Sequence, residues 1–183
     1  MIRTKGWRSI AIALAMLAVI VAAIYLVPRL RTKGPAEVQK VSEEMRAVTI
    51  FFGNKSADGF VSETREVPVA QGFEDQVKLV LGELIKGSRD SDKISAMPDS
   101  TALIQVFWVE DTQTLVLDFN NAFVANHPGG SAGEYYTISN VIKTVSANFP
   151  QVARVQFLVE GNQVESIAGH YAVDKPIDVK KWR

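Results

Sequence analysis

Glu63, Arg65 and Glu66 lie close together in the stretch NKSADGFVSETREVP, residues 54–68. Two carboxylates held at a fixed separation are what acid–base glycoside chemistry requires. In an extended segment, however, Glu63 and Glu66 point to opposite faces, because their offset is odd. Arg65 shares a face with Glu63, and a surface ion pair between them is the simpler expectation. The stretch reads as a binding or structural loop joining a strand to a helix, with Asp58 in its turn. Asp118 interrupts an otherwise apolar strand, and if buried it needs a hydrogen-bonding partner.

A second constellation is HPGGSAGE, from His127 to Glu134. It is glycine-rich and opens a helix, and free amides at a helix start can bind anions. The Lys-Ser/Thr pair of a phosphate-binding loop is absent, so no nucleotide motif is present. Ser131 and Glu134 form S-x-x-E, the spacing of a capping box, which engages both in starting the helix. Gly129 and Gly130 allow a close helix–sheet approach. No base is recognisable beside Ser131, so a nucleophile is not expected. His170, in AGHYAVDKPIDV, is a packed or surface histidine. With Asp174 or Asp178 it gives no compact metal-ligand pattern.

Composition narrows the chemistry further. The chain has 183 residues and no cysteine, which excludes disulfides, thiolate metal sites, cysteine nucleophiles and a lipid-bearing cysteine. Residues 1–33 hold six basic side chains and no acidic one, and the remainder carries a net charge of −6. That balance gives no support to nucleic-acid binding. No cofactor and no metal are expected.

The elements that would position these residues follow from periodicity. Arg46–Gly53 alternates as a strand, with Val48, Ile50 and Phe52 on one face. Gly72–Lys86 reads as a helix with Val77, Val80, Leu81, Leu84 and Ile85 on its apolar stripe and Gly87 as its cap. Leu103–Val109 and Leu115–Phe119 read as strands of a hairpin. Phe107, Trp108 and Phe119 fall in those strands and suit core or sheet-face packing. After the capping box, Ile138, Val141, Ile142, Val145 and Phe149 line a second helix. Val152–Val159 reads as a strand, and Gln163–Ile167 as a short returning one. The order β-α-β-β-α-β predicts an α+β domain, residues 47–183, with one sheet and both helices on one face.

Ahead of it lies IAIALAMLAVIVAAIYLV, residues 10–27, uncharged and flanked by basic residues. As a helix it spans about 27 Å, the thickness of a bilayer's hydrocarbon core. It follows a short basic tail, residues 1–9, and precedes a polar linker, residues 28–46. A cleaved secretory signal and a buried core helix are the rival readings. The expectation is a single-pass signal-anchor in the cytoplasmic membrane with the C-terminal domain outside the cytoplasm.

FFGN, ADGFVSETREVP, ELIKG, ISAMPDST, LVLDFNNAF, GGSAGE, VARVQFLVEG and GHYAVDKPI occur in that order. The series resembles the GerM domain family over Val48–Val179. The family is named for a bacterial sporulation and spore-germination protein. The resemblance implies a small extracytoplasmic α+β domain, similar in fold to the ring-building domains of secretion machines. In spore formers such domains are linked with an assembly between mother cell and forespore. No catalytic residue is established for the family. Asp58, Gly59, Glu63, Arg65, Glu66, Asp118, Phe119, Gly129, Gly130, Ser131 and Gly169 fit its pattern without an assigned role. The founding member resembles a tandem of two such domains on a lipoprotein, whereas this sequence has one domain and no cysteine. The implied function is non-enzymatic protein–protein interaction or self-association in the cell envelope. A peptidoglycan or polysaccharide binder and a small-anion sensor are the competing readings.

Overall fold

A computed structural model describes residues 44–182. The apolar segment 10–27, the basic tail before it and nearly all of the linker lie outside the described residues. Among the described residues, no helix is long and apolar enough to cross a membrane.

The first strand, β1 (Met45–Asn54), buries Val48, Ile50 and Phe52 as its alternation dictates. It turns through residues 55–59 into β2 (Phe60–Pro68), which pairs antiparallel with it along nearly its whole length. Helix α1 (Phe73–Ile85) follows, then a two-residue strand, β3 (Lys93–Ile94), against the far end of β1. Next come β4 (Leu103–Val109) and β5 (Thr114–Phe119), joined through a 3-10 turn at Glu110–Thr112. A short helix α2 (Ala122–Ala125) leads to the long helix α3 (Ser131–Asn148). This crossover carries the chain back so that β6 (Arg154–Val159) lies parallel to β5. Strand β7 (Ile177–Asp178) and a closing 3-10 turn, Val179–Trp182, complete the domain.

The domain is α+β, but the single sheet expected from the sequence is replaced by two. One has the order β2-β1-β3, the other β4-β5-β6-β7. The cause is the charged stretch 54–68. It is a hairpin turn followed by a strand, not a connecting loop, so β1 takes β2 as its partner. Residues 163–167 do not form the expected return strand; only an isolated bridge, Val159 to Asn162, is made there. Val48, Ile50 and Phe52 of the first sheet share one apolar core with Leu115, Leu117, Phe119 and Phe157 of the second. The apolar lines of α1 and α3 fill the space: Val77, Val80, Leu81 and Leu84, and Ile138, Val141, Ile142 and Val145.

Candidate functional site

Arg65 on β2 is buried, and its guanidinium binds at several points. Nη2 donates to Glu63 Oε2 at 2.7 Å and to the carbonyl of Gly87 at 2.6 Å. Nη1 donates to the carbonyl of Glu83 and reaches Glu83 Oε2 at 3.3 Å. The cation also lies 5.4 Å from the centre of the Phe52 ring. Arg65 therefore satisfies carbonyls left open at the C-terminal end of α1, where a cation also meets the negative end of the helix dipole. Gly87 makes the turn possible with a left-handed φ of 82°.

Glu63 is the counter-ion. Besides Arg65 it accepts from Ser88 Oγ and from Lys93 Nζ at 3.2 Å. Burial raises its pKa, but the hydrogen bonds from Ser88, Arg65 and Lys93 and the charge of Arg65 outweigh this and lower it to about 2. Glu83 is also held below its ordinary value: burial opposes this, and Lys86 and Arg65 prevail. The expected surface pair is thus a buried network. Neither carboxylate is poised as a proton donor near neutral pH. Glu66, on the opposite face of β2, is exposed. Asp58 closes the β1–β2 turn: Asn54 Nδ2 donates to its Oδ1 at 2.6 Å, and its own amide donates to Asn54 Oδ1.

Asp118 on β5 is buried and accepts the amide of Gly161 at 2.8 Å, tying the turn after β6 to the sheet. At the start of α3 the capping-box expectation is corrected. The N-cap is Gly130, with no side-chain cap, and Ser131 is already the first helical residue. Gly129 and Gly130 both take positive φ, and a side chain at either would meet nothing within 4 Å, so the expected close helix–sheet approach is replaced by a requirement for left-handed backbone. Glu134, freed from capping, is fully buried. It accepts the amides of Ile167 at 2.9 Å and His170 at 2.8 Å, with His170 Nδ1 at 3.3 Å. Burial raises its pKa, but the amides of Ala168, His170, Ile167 and Tyr171 overcome that and lower it.

A buried carboxylate in the first turn also works against seating another anion there. His127 Nδ1 accepts the amide of Gly129, which leaves Nε2 to donate its proton to Thr137 Oγ1 at 3.0 Å. Burial lowers its pKa, against a smaller opposing effect from Glu134, in keeping with a neutral ring. His170 is brought to Glu134, not to a metal-ligand set. Asp178 accepts the amide of Lys180. Among the described residues, no group of three or more His, Cys, Asp or Glu side chains is placed to hold a metal ion.

Asp58, Glu63, Arg65, Asp118, Glu134 and His170 are engaged in hydrogen bonds within the domain, whereas Glu66 is exposed. An interaction domain of this kind is expected to present an exposed sheet face or edge, and the edges of the two sheets differ. The open side of β1 is closed by α3. Phe51 N–H donates to Thr144 Oγ1, while Asn148 accepts from Thr49 N–H and donates to the Thr49 carbonyl. Edge strand β2 carries Glu63, Arg65 and Glu66 and ends in Pro68, while β7 has only two residues. Charge, proline, shortness and covering are the ordinary protections of an edge. Edge strand β4 has none of the first three: LIQVFWV is seven residues long, uncharged and without proline. Ile104, Phe107 and Val109 on it are 43%, 51% and 42% exposed. The alternation that placed Phe107 on a sheet face could not tell that the face is open.

In this domain the carboxylates of Glu63, Glu83, Asp118 and Glu134 are engaged in hydrogen bonds that hold the backbone. The chain belongs to the Germane family, described as sporulation and spore germination, whose model matches residues 49–165. Its fold is similar to that of a lipoprotein from Clostridium perfringens, with a TM-score of 0.54 at 19% identity, covering 75% of this chain and 89% of that one. It is also similar to the tandem GerMN domains of the sporulation protein GerM from Bacillus subtilis, with a TM-score of 0.58 at 14% identity. That match covers 75% of this chain but 48% of the tandem, so the chain spans about half of that structure. Among curated proteins none matches the chain.

Proposed function

We propose that this chain is a membrane-anchored extracytoplasmic domain that binds protein in the cell envelope, in the sporulation and germination setting by which its family is described. The anchor rests on the uncharged run 10–27 and its basic flanks. The binding role rests on the β4 edge, which has no strand partner, no charge and no proline, because such a strand with exposed apolar side chains can template β-strand addition. Crosslinking of the full-length chain in its own cells, followed by capture, tests this. Adducts with an envelope protein or with the chain itself are expected, and Phe107→Lys removes them while Glu66→Lys does not. Adducts unchanged by Phe107→Lys would refute the edge as the binding surface.

A cluster of rings favours the glycan reading as the alternative. Tyr135 stacks on Trp182 at 5.4 Å between centroids and also meets Tyr171 and Phe60. Partly exposed aromatic faces suit sugar rings. Recovery only with cell-wall fragments, lost in Tyr135→Ala, would favour this reading.

A further inference from the structure

We propose that a strip of rings along α3, ending at Lys143, binds a glycan chain that carries free carboxylates. The inference rests on the alternative, glycan-binding reading and names the class of glycan; it uses no residue of β4. Tyr135, Ser139 and Lys143 are spaced four apart on α3 and so form one row along the helix. Phe60 of β2 reaches both ends of that row. Its ring centre lies 5.9 Å from that of Tyr135 and 4.8 Å from Lys143 Nζ. Beyond Tyr135, Trp182 and Tyr171 continue the rings, with centres at 5.4 Å and 6.0 Å from it. Tyr135 is 38% exposed, and Phe60, Lys143, Tyr171 and Trp182 are half-buried.

The polar atoms of the strip select the ligand. Among the described residues, the hydroxyls of Tyr135 and Tyr171 and the indole N–H of Trp182 have no hydrogen-bond partner. The Ser139 hydroxyl, in the middle of the row, is fully buried and also unpartnered. Rings with apolar faces and open polar rims match a sugar, which presents C–H faces edged by hydroxyls. An acyl chain or an apolar side chain would cover the faces and leave the rims unmet. Lys143 adds the sign of the charge. Among the described residues no carboxylate pairs with it, and its ammonium is held only over the Phe60 ring. Burial pushes its pKa below the ordinary value. A half-buried ammonium without a counter-ion is costly. A carboxylate on the glycan supplies that counter-ion through a charge-assisted hydrogen bond, whereas a neutral glycan leaves it unpaired.

Cell-wall glycan strands stripped of peptide expose the carboxylate of each muramic acid unit. Reducing that carboxylate to an alcohol gives a neutral match of the same length. Titration calorimetry of the full-length chain in detergent micelles compares the two. The acidic strands are expected to bind at least about tenfold more tightly, the worth of one hydrogen bond to a charged group. Lys143→Met keeps the apolar stem and removes the charge, and it is expected to erase the preference while residual binding remains. Lys143→Arg is expected to keep the preference. Tyr135→Ala is expected to weaken binding of both strands. Equal affinity of the unaltered chain for the two strands overturns the proposal and leaves the glycan reading standing. A preference that survives in Lys143→Met puts the carboxylate elsewhere and also overturns the proposal. Binding of neither strand, or binding undiminished in Tyr135→Ala, overturns the glycan reading with it.

Discussion

Replacing Arg65 with alanine leaves Glu63 and Glu83 beside each other without the cation they share. Breaking a buried ion pair from one side typically costs about 3–5 kcal/mol, and loss of that order is expected in urea denaturation. Arg65→Lys is expected to recover little of it, because an ammonium cannot span two carboxylates and two carbonyls with the guanidinium's fork. Glu63 makes the network sensitive to acid. Its folded-state pKa is about 2 against an ordinary 4.5. Its contribution is therefore complete above pH 4.5 and is lost as the pH falls towards 2, a difference of roughly 2–4 kcal/mol. In Glu63→Gln, the slope of stability between these pH values should flatten, as followed by denaturation at each pH. Glu134→Gln presents an amide nitrogen where one of the two backbone amides, of Ile167 and His170, needs an acceptor. Faster hydrogen exchange at Ile167 and His170 is expected, with about 1–3 kcal/mol of stability lost.

At the scale of elements, the clearest device is α3 serving as a substitute strand for β1. Thr144 and Asn148 satisfy backbone groups that a neighbouring strand would otherwise pair. Asn148→Leu is expected to cost about 1–3 kcal/mol, since the Thr49 amide and carbonyl lose their partner. Thermal unfolding should report that loss. Much of the element plan was legible from periodicity. Leu103–Val109 has the expected bounds, and the apolar lines of α1 and α3 are the buried ones. Strand β2 escaped because its inward positions include Glu63 and Arg65, where alternation would place apolar residues. The partners of Arg65, Glu83 and Gly87, lie 18 and 22 residues further along, beyond any local pattern. The S-x-x-E spacing misled for a related reason. Two positive-φ glycines shifted the helix start, and a distant loop claimed Glu134. Edge exposure was likewise hidden, because alternation gives the face of a strand but not its place in a sheet.

At the scale of the molecule, stability and binding are assigned to different surfaces. The charged hub at the end of α1 and the Glu134 staple hold the domain, while β4 presents an uncharged edge. Substitutions at Arg65 should therefore alter folding before binding, and Phe107→Lys binding without folding. The most direct test is amide hydrogen exchange, compared between the free full-length chain and the complex captured from cells. Slower exchange confined to Leu103–Val109, with Phe60–Pro68 unchanged, is the predicted result. Protection of Phe60–Pro68 or of the segment around Tyr135, with β4 exchanging as in the free chain, would contradict it.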